Sequence, residues 1–426
     1  MPKGVSLLWA ISDDPDVRDD VVGALDAAVA EGIGYLEANA AWVRTGGVPT
    51  QTGGLLGAAY LHATNRNLEP QLHTHVVIAN AAVHPSGSLR ALDARGVFLH
   101  ATTAGHLAAA ELRHQLSARL GVAWTPVENA AAEIVGVPDE AIRVFSSRSA
   151  EIATVVEEMG WDSPDGRQIA AYQTRAPKTH GVDIDALRHR WDVRAAEVGL
   201  TPDHLQRVVL RPDRLGPTPF DSHDVAGLSR ALAGPSGVTK HRAVFDHCDV
   251  IQTVADLSGD RLGADQVTAL ADAWLSGAEV VPLEPIDQRN TIRRRDGTLI
   301  ATRSGEPIYT TQTMLCLEHD IVTAFEAGHN QRAAFVAPEI LDAAIAASPS
   351  LGSDQAQLVR AMCQWPDRYQ CAVGPAGSGR TYALNVAHNA WTDAGCNVVG
   401  AAVNGNAADI PCNARPGSRH GRWCGG

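Results

Sequence analysis

The segment that most constrains the fold is residues 70–80, where His73 and His75 stand one residue apart and run into the apolar stretch Val76-Val77-Ile78. This reads as a β-strand, and side chains at i and i+2 of a strand share one face, roughly 6–7 Å apart. Two imidazoles so placed can tilt onto one metal ion at bond lengths of about 2.0–2.1 Å. His62 closes the same site if it ends the neighbouring strand, and residues 55–62 form an apolar run consistent with one. On spacing alone the pair reads equally as two ligands or as two solvated side chains.

The chain has 426 residues, enough for two to four domains each with its own core. Hydrophobic residues make up 45% and charged residues 19%, the balance of an ordinary globular protein. No apolar run approaches the roughly 18–20 residues of a membrane span. Met1-Pro2-Lys3-Gly4 leads straight into patterned sequence, so no secretory leader is expected. The seven cysteines lack paired spacing, which points to a reduced, cytoplasmic setting. A net charge of −13 argues against whole-surface attraction to nucleic acid and leaves room for a local basic groove.

Along the chain, residues 5–11 are a short apolar run expected to be a buried strand. Asp14-Pro15 marks a helix start, and Val17, Val21, Leu25, Val29 and Leu36 trace its apolar face. Residues 73–80 and 89–92 flank the turn signal Pro85-Ser86-Gly87 and are expected to form a hairpin. Leu112, Leu116 and Leu120 give a helical stripe stopped by Gly121. Residues 138–200 are mainly helical in pattern. Residues 211–219 read as a linker. Beyond it, residues 220–330 hold two or three helices and a hairpin turning at Asp296-Gly297. Arg293, Arg294 and Arg295 lead into that hairpin, together with Arg289 and Arg303 as candidate phosphate contacts; a solvated hairpin is the competing reading.

Gly374-Pro375-Ala376-Gly377-Ser378-Gly379-Arg380-Thr381 follows the apolar residues 371–373 and opens a helix. Strand, glycine-rich loop, helix is the context of a phosphate-cradling loop, with Gly374, Gly377 and Gly379 supplying close backbone approach. Thr381 would place its hydroxyl on Mg²⁺. The pattern asks for lysine before the threonine, and Arg380 is longer and planar, which weakens ATP/Mg²⁺ binding as an expectation.

Pro2-Lys3-x-Val5-Ser6-Leu7-Leu8-Trp9-Ala10, His62, Arg66, the 70–80 segment and Arg90-Ala91-Leu92-Asp93 together resemble the MobF class of conjugative relaxases, the TrwC/TraI-like group of the HUH endonuclease superfamily. The resemblance covers roughly residues 1–200. It implies that His62, His73 and His75 hold a divalent metal (Mg²⁺, Mn²⁺ or Zn²⁺) that polarises one phosphate of transfer-origin DNA, with Lys3 and Arg66 as candidate DNA contacts. It also implies single-stranded origin DNA and the conjugation machinery as partners. Gln355 resembles the adenine-reading glutamine of superfamily 1 helicases, and residues 402–408 resemble a segment that contacts single-stranded DNA.

The implied fold class is α/β: a relaxase domain with an antiparallel central sheet over 1–200, a helical or winged connecting region over 201–350, a partial RecA-like P-loop lobe over 351–410 and an off-pattern tail over 411–426. The family's nucleophilic tyrosines lie upstream of the Pro-Lys-x-Val-Ser motif, as does a metal-orienting aspartate and one strand of the sheet. The sequence opens at that motif, so all three are expected to be absent and the domain under-supported. None of Tyr35, Tyr60, Tyr172, Tyr309, Tyr369 and Tyr382 aligns with the nucleophile, and Tyr35 and Tyr60 are expected to be packing residues. Cys412, His420 and Cys424 lack ligand spacing. The resulting expectation is a truncated relaxase–helicase inactive in nicking and unwinding. The alternatives are a non-enzymatic single-strand-binding remnant and a working relaxase whose true start lies upstream.

Overall fold

The computed structural model describes residues 1–45, 48–161, 164–175, 183–211, 213, 216, 219–283, 291–293, 299–301, 307–372 and 378–399, without the side chains of 48, 164, 165, 291–293 and 299–301. The chain forms two compact units, Met1–Met314 and Leu315–Gly426.

The first unit opens with α1 (Lys3–Ile11) and α2 (Pro15–Ala40). Residues 5–11 are thus helical where a strand was expected. A short apolar run does not distinguish the two, and here every residue from Gly4 to Ile11 is buried, so no periodicity survives to read. The Asp14-Pro15 start holds: the Asp14 side chain accepts from the Asp16 N–H and Pro15 takes the first helical position. There follow β1 (Trp42–Thr45), β2 (Val48–Gln51), β3 (Gly57–Thr64), β4 (Pro70–Ile78), β5 (Ala82–Val83) and β6 (Leu89–Arg90). The strands pair antiparallel two by two, β1 with β2, β3 with β4 and β5 with β6. The mixed α/β class stands, but the described residues form no broad central sheet. The Pro85-Ser86-Gly87 turn joins β5 to β6, whereas the histidine strand β4 pairs with β3 across residues 65–69.

Next come α3 (Ala94–Leu120), ended by Gly121 at φ +64°, then α4 (Asp139–Val144), α5 (Ser147–Met159), α6 (Pro164–Gln173) and α7 (Ile184–Ala196). A side chain at Gly121 would strike the Arg211 backbone as well as strain the left-handed conformation. A short α8 (Pro202–His204) runs into a π turn, and α9 (Ser222–Ala233), α10 (His247–Leu257) and α11 (Ala264–Leu275) follow. β7 (Val280–Leu283) pairs with β10 (Ile308–Thr311), and β8 (Thr291–Arg293) with β9 (Leu299–Ala301). The β8–β9 pair brackets the expected turn at Asp296-Gly297, which with Arg289, Arg294, Arg295 and Arg303 lies outside the described residues.

Two apolar clusters fill this unit. One joins α1, the N-terminal half of α2, Leu72 of β4, the C-terminal end of α3 and α7. The other joins the C-terminal half of α2 and the middle of α3 to Phe245, α10 and α11. Packing continues across the boundary expected at residue 200, because Arg113 of α3, itself buried, donates to the carbonyls of Ala130, Ala255 and Gly259. Three carbonyls on one guanidinium tie the two regions together.

The second unit opens within α12 (Gln312–Ala327) and continues through α13 (Pro338–Ala346), α14 (Ser353–Gln364) and α15 (Arg380–Asp393). Its small core joins Leu341, Val359, Cys363, Ala383, Val386 and Ala387. The strand expected at 371–373 does not appear: Cys371 and Ala372 are exposed without strand pairing, and Val373 lies outside the described residues. A buried strand needs paired neighbours on its edges, and none is described in this unit.

Candidate metal centre and cleft

The β3–β4 register places His62 directly opposite His73 and Tyr60 opposite His75. Opposed residues of an antiparallel pair share a face, so period two brings all three imidazoles to one side. Their ring centroids lie 4.7–5.4 Å apart. One ring nitrogen from each lies within 4.8 Å of the others. A register shift between His62 and Thr64 re-aims the strand next to the site.

The donor set suits a divalent cation. His73 Nδ1–H donates to the Gln71 carbonyl at 2.7 Å, which fixes the tautomer that leaves Nε2 as a lone pair. His73 Nε2 and His75 Nε2 stand 3.2 Å apart. At bond lengths of about 2.05 Å that separation subtends an angle of about 103° at a shared ion, between the octahedral and tetrahedral values. The orienting role that the resemblance gave to an upstream aspartate is filled for His73 by a backbone carbonyl of its own strand.

Several elements hold this hairpin. At its tip Asn65 Oδ1 accepts from the N–H groups of Asn67 and Glu69, and Leu68 takes a left-handed φ of +57°. The buried Glu69 carboxylate accepts from Asn65 Nδ2 and from the Ser147 N–H at the start of α5. Trp191 of α7 donates to the Leu68 carbonyl at 2.9 Å. On the far edge of β4, Lys3 Nζ donates to Pro70 O at 2.9 Å and Ser6 Oγ accepts the Leu72 N–H at 3.1 Å. The Pro-Lys-x-Val-Ser motif thus braces the histidine strand. Lys3 is a half-buried brace, and burial draws its ammonium below the usual lysine range.

The histidines line a cleft of about 930 Å³ that also takes in Arg66, Arg148, Arg175, Gln168 and Tyr172. In a chain of net charge −13 this is a local concentration of cationic side chains beside the three histidines. Arg148, Arg175 and Tyr172 were not singled out as site residues, because α5 and α6 reach the hairpin only through tertiary packing. Tyr35 is buried and its hydroxyl meets His100 Nδ1 at 3.0 Å, whereas Tyr60, expected to pack, is 54% exposed on the histidine face. Of the arginine run, the β8 backbone includes Arg293, and Arg294 and Arg295 lie outside the described residues.

Of the phosphate-loop residues, Gly374 and Gly377 lie outside the described residues. Gly379, at φ +73°, caps α15, and Arg380 and Thr381 form its exposed first turn. Gln355 donates through Nε2 to Ser378 O at 3.0 Å and accepts the Gly352 N–H. The left-handed φ favours glycine at 379, where a Cβ would meet only the movable end of the Gln355 side chain. Residues 402–426, including Cys412, His420 and Cys424, lie outside the described residues. Among the described residues no helix is long and apolar enough to cross a membrane.

Residues 1–198 match the TrwC relaxase family and residues 350–411 match an AAA domain family. The multifunctional conjugation protein TraI of Escherichia coli is 31% identical over 303 residues, covering 66% of this chain and 16% of TraI. The conjugal transfer protein TraA of Rhizobium radiobacter is 28% identical over 238 residues, covering 55% of this chain and 19% of TraA. The chain therefore spans under a fifth of these relatives' length. Among solved structures, the conjugative relaxase TrwC in a metal-bound complex with oriT DNA is 32% identical, with a TM-score of 0.43 over 47% of this chain and 69% of that one. Through residues 1–198 the chain belongs to the TrwC relaxase family, the MobF class, and it carries a helicase-like AAA region after them.

Proposed function

We propose that His62, His73 and His75 hold one divalent cation, Mg²⁺, Mn²⁺ or Zn²⁺, and that the cleft seats a phosphodiester of single-stranded transfer-origin DNA against it. The observation that carries this reading is the convergence of three imidazole nitrogens in a cleft that also gathers Arg66, Arg148 and Arg175. Bound there, the cation supplies Lewis-acid polarisation of a phosphoryl oxygen. The chain's own part is to orient the imidazoles, through the Gln71 carbonyl for His73, and to surround the phosphate with guanidinium charge. Related TrwC has been solved in complex with oriT DNA and in a metal-bound form, which supports the same reading here.

The role proposed for this polypeptide is to grip and polarise origin DNA without forming a tyrosyl–DNA link. Tyr35 is buried, and the described hydrogen bonds give the Tyr60 and Tyr172 hydroxyls no base as acceptor. In the helicase-like region we infer weak nucleotide binding at Gly374, Gly377, Gly379, Arg380 and Thr381 near Gln355.

The test is fluorescence anisotropy of a labelled single-stranded origin oligonucleotide with Mn²⁺, with excess chelator, and against the matched duplex. Metal-dependent preference for the single strand is expected, with no denaturant-resistant adduct on a gel. Equal affinity with and without metal would overturn the metal reading, and an adduct would overturn the binding-only role.

A further inference from the structure

We propose that Tyr60 and Tyr172 form a stacking clamp that holds the nucleobases on either side of the metal-bound phosphate. The inference deepens the reading of the histidine cleft just given and rests on it. Tyr60 is the cross-strand partner of His75 and stands on the histidine face of β3. Tyr172 lines the cleft from the last turn of α6. They are 54% and 75% exposed. A large aromatic side chain left in water beside a catalytic cleft has forgone the burial that ordinarily stabilises it.

The second wall stands on a pinned backbone. Arg148, on α5, donates to the carbonyls of Ala171 and Thr174 at 2.9 and 3.2 Å, so one guanidinium caps the end of α6 on both sides of Tyr172. Thr174 Oγ1 donates to Ala170 O, and the Arg175 N–H donates to Tyr172 O, tightening the same turn. The backbone beneath Tyr172 is therefore ordered before any ligand arrives, which lowers the entropic cost of engaging one. Arg175 follows three residues on, is exposed, and lines the same cleft. An aromatic face with a guanidinium beside it is the pairing that takes a base and its neighbouring phosphate, and stacking tolerates any base because each has a π-face. Duplex DNA, with its bases already stacked, offers nothing to such a clamp, which gives the cleft its single-strand preference.

The test uses the full chain with Mn²⁺ and an origin oligonucleotide carrying 2-aminopurine on either side of the phosphate at the transfer-origin site. Stacking quenches the probe. Wild type is expected to quench both positions, Tyr172→Ala to release one of them and weaken binding by at least about fivefold, and Tyr60→Ala to release the other. Tyr172→Phe and Tyr60→Phe should bind within about twofold of wild type, since the ring and not the hydroxyl is used. If the alanine variants bind and quench like wild type, the clamp is wrong while the metal reading stands. If the phenylalanine variants lose as much as the alanine ones, the hydroxyls act and stacking is overturned. If wild type binds no single strand at all, both readings fall. Mn²⁺ titration of each variant, expected to be unchanged, separates loss of the clamp from loss of the fold.

Discussion

Replacing His75 by alanine should disable the metal centre while leaving the fold almost untouched. The side chain is exposed on β4 and its recorded polar contact is to His73 Nε2, so its removal opens no cavity and orphans no buried group. Its effect on metal binding should be large. The 3.2 Å spacing of the two Nε2 atoms already matches a shared ion, so wild type binds without rearranging the strand. Loss of even an outer partner of a metal ligand typically weakens affinity 10–100-fold, so loss of the ligand itself should exceed about 100-fold. With free metal at about 100 times the wild-type dissociation constant, binding stabilises the folded chain by about 2.7 kcal/mol. A hundredfold weaker variant at the same concentration retains only about 0.4 kcal/mol. For a unit of this size those figures correspond to a metal-induced rise in melting temperature of about 5 °C in wild type and under about 1 °C in His75→Ala. Differential scanning fluorimetry with Mn²⁺ and with chelator reads this directly. His84→Ala is the control, since His84 contacts Thr45 and Ser86 away from the triad. A full metal shift in His75→Ala, or its loss in His84→Ala, would show that the triad is not the site.

Arg113→Leu should cost about 3 kcal/mol or more in urea unfolding, because it strips three carbonyls of a buried donor; a loss below about 1 kcal/mol would mean that those carbonyls are solvated. Leu72→Ala, at a fully buried position of β4, should cost about 3 kcal/mol in the same assay, and a neutral result would mean that the first cluster collapses around the gap. Asp224 is held well below the usual carboxylate range by the Arg261 guanidinium and by the Asp221 N–H it accepts. A depressed carboxyl contributes stability that is present above its unfolded value of about 3.9 and lost as the pH falls towards its folded value. Asp224→Asn should therefore melt lower than wild type at pH 7, with the gap narrowing by pH 3; a gap independent of pH would contradict this. Burial pushes the Cys363 thiol up to about 11, so iodoacetamide should label exposed Cys316 and Cys371 in the native chain and spare Cys363 until unfolding. Early labelling of Cys363 would show that the small core opens.

The convergence of His62, His73 and His75 was legible in the sequence because strand periodicity is local: His73-x-His75 needs only a strand, and His62 needs only the adjoining one. The Asp14-Pro15 start and the Gly121 stop were legible for the same reason, each being set by one cap. The helix at Lys3–Ile11 was not, since burial on all sides erases the polar face that marks a helix. The β5–β6 turn misled because the turn signal fixes where the chain reverses and not which strands it joins. Arg148, Arg175 and Tyr172 were invisible because their approach to the histidines depends on the Glu69–Ser147 contact, made between residues far apart in the chain.

The two hydrogen bonds from α1 to β4 carry a consequence for phase. A strand held only by its hairpin partner can slide, and a slip of one residue would turn His73 and His75 to the opposite face and bury them. A slip of two would keep the face but set His62 against Gln71 or His75. Lys3 grips Pro70 and Ser6 grips Leu72, so the strand is indexed at two alternate residues from its other edge. The Pro-Lys-x-Val-Ser motif thus works as a register key: it touches no ligand, yet it decides which face of β4 carries imidazole.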